Sequence, residues 1–367
     1  MSFFNFPNIS ITGVSTAVPK NIRKSEDFIE KYGEEVFKFI EMTGIKEVHV
    51  ASKYQTVSDL GFAAAENLLS VKNIDRADIG LLVFGAHSVD YRRPATACVL
   101  HKRLGLNKNC AAFDVGLGCS AFVYTLQIVS SMLLSSDVNK ALLIVGETVS
   151  KMANPEDKSV SMLFGDAGSA ILIEKEPETN ISGSLYTDGS GYKAIIAPAG
   201  GFRNLDADKT DFEFEGGIKR NLYNVWMDGS SVFSFTISDV PKSIKAYLEK
   251  ENKTVEDYDY FIMHQANQFI HRQLAKKLKI PVEKMPLSLD RYGNTSAAAI
   301  PLTICDAFGN DNTNRKLHLL ASGFGVGLSW GVTDFWINTE DVLPILETED
   351  YYKEGLILSP EEWLRND

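Results

Sequence analysis

Cysteine is scarce in this chain. There are 4 in 367 residues (Cys98, Cys110, Cys119 and Cys305), and no two form a Cys-x-x-Cys pair. That dispersal argues against a disulfide scaffold or a zinc site and fits free thiols in a reducing, cytoplasmic setting. Positive charge is also short. Against 48 Asp and Glu stand 37 Lys and Arg, a formal net charge of -11, which argues against nucleic acid or an anionic membrane as the main partner. No apolar run approaches the roughly 18 residues of a membrane-spanning helix. The opening MSFFNFPNIS lacks the basic and then apolar order of a secretory signal. What is present is ordinary globular composition, 44% hydrophobic and 23% charged. The length suits two similar halves.

Four short apolar runs follow amphipathic stretches: IGLLVFGA (79–86), ALLIVGE (141–147), YFIMH (260–264) and LHLLASG (317–323). Strands this apolar, alternating with helices, predict a largely parallel sheet covered on both faces. The order of elements repeats. A helix over Thr56–Leu69 leads to the first strand. A Gly-Cys turn then opens a helix near Ser120, a strand follows, and FGDAGSAILIEK (164–175) adds a glycine loop and another strand. In the second half a helix over Phe235–Glu249 leads to a strand ending at His264. Gly293-Asn294 opens a helix near Thr295, and GFGVGLSWGVTDFWI (323–337) supplies the second glycine loop. We read a duplicated α/β unit. Its halves span 1–176 and 215–340, with a linking region 177–214 between them and an acidic extension over 341–367.

The duplication puts Cys119 and Asn294 at equivalent helix starts, with His264 at a strand end, where ligands of open α/β sheets gather. A cysteine at a helix N-terminus faces unpaired N–H groups and the positive end of the helix dipole. These lower a thiol from about 8.5 into the range of roughly 3.5 to 7.5. By itself such a cysteine reads equally as a small buried hydrophobe, His264 as a structural histidine and Asn294 as a helix cap. Together they suit one reaction. A cysteine holds an acyl group while two neutral donors stabilise the enolate formed as a malonyl thioester loses CO₂. That chemistry needs no metal and no organic cofactor. On an acidic chain, the basic run Arg272, Lys276, Lys277 and Lys279 suits an acidic carrier protein, or is simply a solvated helix face.

The ordered motifs TGI (43–45), AAFDVGLGCSAFVYTL (111–126), FGDAGSA (164–170), HQAN (264–267), AKKL (275–278), RYGNTSAA (291–298) and FGVGLSWG (324–331) resemble the β-ketoacyl-[acyl carrier protein] synthase III family of the thiolase superfamily. The resemblance runs from about Ile9 to Trp336. It implies a thiolase-like αβαβα sandwich, a homodimer and decarboxylating condensation of an acyl thioester with malonyl-[acyl carrier protein]. Cys119 would carry the acyl group, with His264 and Asn294 promoting decarboxylation. The loop Phe324, Gly325, Val326 would border the nucleophile, the Cys119 and Val326 amides forming the oxyanion hole. Lys38 and Met42 stand where the family clamps the adenine of coenzyme A, so the donor is open between coenzyme A and a carrier protein. Arg93 stands where the family sends a bulky apolar residue into the partner subunit's acyl pocket. An acyltransferase to an alcohol or amine and a non-catalytic acyl-carrier-binding subunit are the alternatives. A hydroxymethylglutaryl-type condensation would want a carboxylate base upstream of the cysteine, where only Asp90 stands. A thiolase would want a second cysteine in the C-terminal glycine loop, which has none.

Overall fold

The computed structural model describes residues 2–215 and 218–364. The strands that frame the site are β1 (Ser2–Pro19), β2 (Ile79–Gly85), β3 (Ala111–Val115), β4 (Lys140–Glu147), β5 (Ala167–Thr187), β6 (Tyr260–Met263), β7 (Lys316–Gly325), β8 (Ser329–Asn338) and β9 (Leu346–Thr348). The helices are α1 (Val57–Val71), α2 (Thr96–Arg103), α3 (Ala121–Leu134), α4 (Gly229–Glu251), α5 (Gln268–Leu278) and α6 (Ala299–Phe308).

Strands β3, β2 and β4 run parallel, with Val83 opposite both Phe113 and Leu143, and β5 returns antiparallel beside β4. In the second half β6 and β7 run parallel, with Ile262 opposite Ala321, and β8 returns antiparallel beside β7. The long strands β1 and β5 join the halves. Residues 168–175 of β5 pair with 9–17 of β1 and 167–174 with β4, whereas 180–185 pair with 2–7 of β1 and 182–187 with β8.

Period-two alternation explains the layers. Leu81 and Val83 face inward with Leu143, Leu319, Ala321 and Phe335 onto α3 and α6. Their neighbours Leu82 and Phe84 face outward onto α1. On the far side Phe261, Leu320 and Val332 meet α4 and α5. Helix α3 packs Phe122, Val123, Leu126, Val129 and Leu133 into the central cluster, as a helix apolar on most sides must. The result is the α/β thiolase-like αβαβα sandwich.

Local chemistry sets the helix ends. Thr56 caps α1 and exchanges hydrogen bonds with Asp59. Helix α4 starts six residues before the expected Phe235. Asp228 accepts the Ser230 and Ser231 N–H groups and turns a Gly-Ser-Ser stretch into a first helical turn. Strand β5 runs without a break through residue 176, so the strand crosses the boundary drawn there between the first half and the linking region. The 177–214 stretch then carries the short strands Ile195–Ile196 and Phe212–Phe214.

The acidic extension lies on the body. Strand β9 pairs parallel with the end of β1. Beyond it Gln55 Nε2 donates to the Thr348 and Asp350 carbonyls at 3.1 Å, and the Tyr352 N–H donates to Asp59 at 2.9 Å. Arg103 is held by Asp59 at 3.0 Å and stacked between the Phe62 and Tyr352 rings. Among the described residues no helix is long and apolar enough to cross a membrane, and no His, Cys, Asp and Glu cluster is arranged to hold a metal ion.

Candidate active site

The nucleophile turn joins β3 to α3. Ser120 is the helix N-cap, so Cys119 sits one residue outside the helix, and the Ala121 N–H closes the turn on the Gly118 carbonyl at 2.7 Å. The Ser120 hydroxyl bonds Ser329 at 2.7 Å, and Ser329 in turn donates to the Val326 carbonyl at 2.8 Å. This relay ties the nucleophile turn to the loop between β7 and β8. Glycine is required there for steric reasons. A Cβ on Gly325 would lie 2.8 Å from the Cys119 sulfur, and one on Gly323 would lie 2.9 Å from the Cys119 carbonyl oxygen.

His264 follows the last residue of β6, and its N–H extends the strand pairing to the Ser322 carbonyl at 2.8 Å. The ring stands edge-on to Phe324 with centroids 5.3 Å apart. Its Nδ1 is buried without a hydrogen-bond partner among the described residues. Burial pushes the imidazole down to about 4, with only the Ser296 backbone pulling the other way, so His264 is neutral at physiological pH. The rest of the HQAN motif supports it. Gln265 Nε2 donates to the Met263 carbonyl at 3.0 Å, and Asn267 caps α5 by accepting the Ile270 N–H at 2.8 Å.

Asn294 is gripped by the FGDAG loop. Its N–H donates to the Leu163 carbonyl at 3.0 Å and its carbonyl accepts the Gly165 N–H at 3.2 Å. A Cβ on Gly165 would lie 2.0 Å from the Tyr292 carbonyl oxygen, which explains the glycine. Asp166 fixes the loop by accepting the Ala51 and Ser150 N–H groups at 2.8 and 3.0 Å. The Asn294 Oδ1 accepts the Ser296 N–H at 2.9 Å. The asparagine therefore holds the first N–H of a single 3₁₀ turn, Ser296–Ala298, whose N-cap is Thr295, and does not cap α6, while its amide Nδ2 has no hydrogen-bond partner among the described residues.

These elements meet at one cavity of ≈ 660 Å³ lined by Cys119, His264, Asn294, Phe324, Gly325 and Val326. Ser296, held at a φ of 51°, brings its hydroxyl to 3.5 Å from the Cys119 sulfur. The helix-start argument predicts a lowered thiol, but the structure gives the reverse direction. Cys119 is half-buried at the cavity wall, and burial pushes its thiol up. The Ser296 hydroxyl and the Val326 and Cys119 amides favour the anion, while Glu147 opposes it. Ser296 lies inside the RYGNTSAA motif, but its contact with Cys119 spans 177 residues and leaves no local pattern in the sequence.

Arg93 is exposed on the loop after β2 and does not line this chain's own cavity. Arg272, Lys276 and Lys277 are exposed on α5 and carry no ion pair among the described residues.

With this geometry in place, comparison with known proteins is decisive. Residues 113–189 match the model for 3-oxoacyl-[acyl-carrier-protein] synthase III, and residues 248–335 match its C-terminal model. The β-ketoacyl-[acyl-carrier-protein] synthase III of Caldanaerobacter subterraneus subsp. tengcongensis is 34% identical over 323 residues, 87% of this chain and 95% of that protein. The chain belongs to the 3-oxoacyl-[acyl-carrier-protein] synthase III family. A relative from Campylobacter jejuni is 30% identical over 364 residues, 97% of this chain and 99% of its own length, a match that takes in most of the C-terminal extension. Among solved structures, the 3-oxoacyl-(acyl-carrier protein) synthase of Burkholderia xenovorans LB400 superposes with a TM-score of 0.89 at 33% identity, covering 95% of this chain and 99% of that one. The first synthase III match contains Cys119 and the second contains His264 and Asn294.

Proposed function

We propose that the protein loads an acyl group from a thioester onto Cys119 and condenses it with malonyl-[acyl carrier protein], releasing CO₂ and a 3-oxoacyl-[acyl carrier protein]. The observation that carries this reading is the pairing of an Asn294 amide whose oxygen is already used with a His264 ring held neutral, both lining the cavity that holds Cys119. Two neutral donors suit the carbonyl of a malonyl thioester. As its C–CO₂ bond breaks, the electron pair moves into the enolate, and negative charge grows on the oxygen they face. The enolate carbon then attacks the acyl carbonyl on Cys119. The Cys119 and Val326 amides stabilise the resulting oxyanion, and its collapse expels the Cys119 thiolate.

Acyl transfer to an alcohol or amine asks for a different histidine. There His264 would take the acceptor's proton, and an imidazole pushed down to about 4 is a weak base for that task. Four free cysteines support a reducing, cytoplasmic setting. Homodimerisation is supported by β3, an edge strand with one neighbour among the described residues and with Phe113 and Val115 half-buried. A dimer would also let Arg93 reach the partner's acyl pocket, and the exposed face of Arg272, Lys276 and Lys277 suits an acidic carrier protein. The test is the mass of the carrier-bound product formed from a panel of acyl thioesters and malonyl-[acyl carrier protein]. A product two carbons longer than the starter supports condensation. Acyl loading without any extended product overturns it.

A further inference from the structure

The cavity wall is largely apolar, with Val149, Met152, Leu163, Phe164 and Val225 among its residues, yet two of its polar side chains that the condensation does not use, His87 and Glu147, stand together. They stand at the ends of neighbouring parallel strands, His87 just past β2 and Glu147 closing β4. Glu147 is 2% exposed. Its carboxylate accepts the His87 N–H at 2.7 Å, the Ser88 N–H at 3.1 Å and the Ser88 hydroxyl at 2.5 Å. The His87 ring makes no hydrogen bond among the described residues and meets Glu147 only as an ion pair when protonated. Its Nδ1 lies 3.9 Å from Glu147, beyond hydrogen-bond distance, and the side chain is 42% exposed.

The imidazole also borders the reacting end of the cavity. A Cβ on Gly118, the residue before the nucleophile, would lie 3.2 Å from His87 Nδ1 and 2.8 Å from a methyl carbon of Val326. Gly118 is bonded to Cys119 and both His87 and Cys119 line the cavity, so this ring is within reach of a group a few bonds from the thioester carbonyl. A plain alkyl chain would displace the water around the imidazole and return no hydrogen bond, leaving a polar group unpaired against hydrocarbon. A hydroxyl both donates and accepts, so it pairs with the ring in either protonation state.

Resting on the acyl-enzyme reading above, we propose that His87 is a specificity-determining residue that hydrogen-bonds an oxygen substituent close to the thioester carbonyl of the starter, as in a 3-hydroxyacyl group. Glu147 is a positioning residue that holds the loop carrying His87. The step that reads this out is loading alone. The thioester C–S bond breaks, the Cys119 C–S bond forms, and the departing thiol takes the Cys119 proton.

The experiment follows single-turnover loading of Cys119 by intact-protein mass, with butyryl- and 3-hydroxybutyryl-pantetheine as matched probes. The parent should load the hydroxylated probe at least about tenfold faster, well short of the discrimination reached by fully enclosed polar sites because this ring stays partly open. His87→Phe should bring the two rates together, slowing the hydroxylated probe and speeding the alkyl one, opposite changes that loss of folding does not produce. His87→Gln, which keeps a donor, should retain part of the preference. Glu147→Gln should shrink the ratio. Equal rates in the parent, or a ratio unchanged by His87→Phe, overturn the proposal alone. Failure of every thioester to load Cys119 overturns the acyl-enzyme reading and this inference with it.

Discussion

A Cβ placed on Gly325 would stand 2.8 Å from the Cys119 sulfur, inside the space that any acyl group on that sulfur must share. The Gly325→Ala variant should therefore load acyl groups about a hundredfold more slowly, the scale of a misplacement of about 1 Å at a reacting centre. Its melting temperature should also fall by a few degrees, because the same Cβ would stand 2.7 Å from the Cys119 Cβ and force the packed turn to shift. Loading by intact mass and a thermal melt together check this, and parent-like loading would contradict the assigned loop geometry.

Thiol reactivity tests the local electrostatics of Cys119. Burial pushes its thiol up while Ser296 pulls it down, so Ser296→Ala should move the alkylation profile of Cys119 to higher pH. Cys98 is exposed and will also react, so the measurement belongs in a Cys98→Ser background. Cys110 and Cys305, pushed up by burial to about 11 and about 12, should stay silent at neutral pH. An unmoved profile would remove Ser296 from the site.

Carrier docking predicts a salt-dependent effect. Lys276→Glu with Lys277→Glu should raise KM for malonyl-[acyl carrier protein] several-fold at low ionic strength, and the difference from the parent should fade in high salt. Equal KM values at low salt would return this face of α5 to plain solvation.

His271 gives a stability prediction away from the chemistry. It is 3% exposed, its Nε2 has no hydrogen-bond partner among the described residues, and burial pushes it down to about 4 from an ordinary value near 6.5. Between those values the unfolded chain binds a proton that the native state refuses, so this contribution is present above pH 6.5 and is lost as pH falls toward 4. Relative to His271→Leu, the parent should lose roughly 2–3 kcal/mol across that window, at about 1.4 kcal/mol per pH unit. Denaturant melts of both proteins from pH 7 to 4 measure it, and parallel curves would contradict it.

The residues legible in the sequence were those whose surroundings are local. Cys119, His264 and Asn294 each stand next to a glycine turn or an apolar strand within a few positions, and the layered fold follows from runs such as 79–86 and 317–323. Ser296, His87 and Glu147 were missed because their contacts join chain segments 59 to 177 residues apart, with no period to betray them. The start of α4 was hidden by a Gly-Ser-Ser stretch that resembles a loop until Asp228 is seen to cap it. The direction of the Cys119 shift was misread for a physical reason. The helix-end argument counts the dipole and omits the burial of the sulfur, which is the larger effect here.

We propose that His264 and Asn294 serve as neutral donors to the enolate. His264→Ala and Asn294→Ala should still accept an acyl group on Cys119. Each should lose CO₂ release from malonyl-[acyl carrier protein] by about a hundredfold or more, the usual scale for deleting one such donor. The double variant should lose less than the product of the single effects, because the two donors act on one oxygen. The deciding measurement is the rate of CO₂ release by the parent, both single variants and the double variant, with acyl loading followed on the same samples. Decarboxylation falling while loading persists is the predicted result, and CO₂ release surviving in Asn294→Ala and His264→Ala would contradict it.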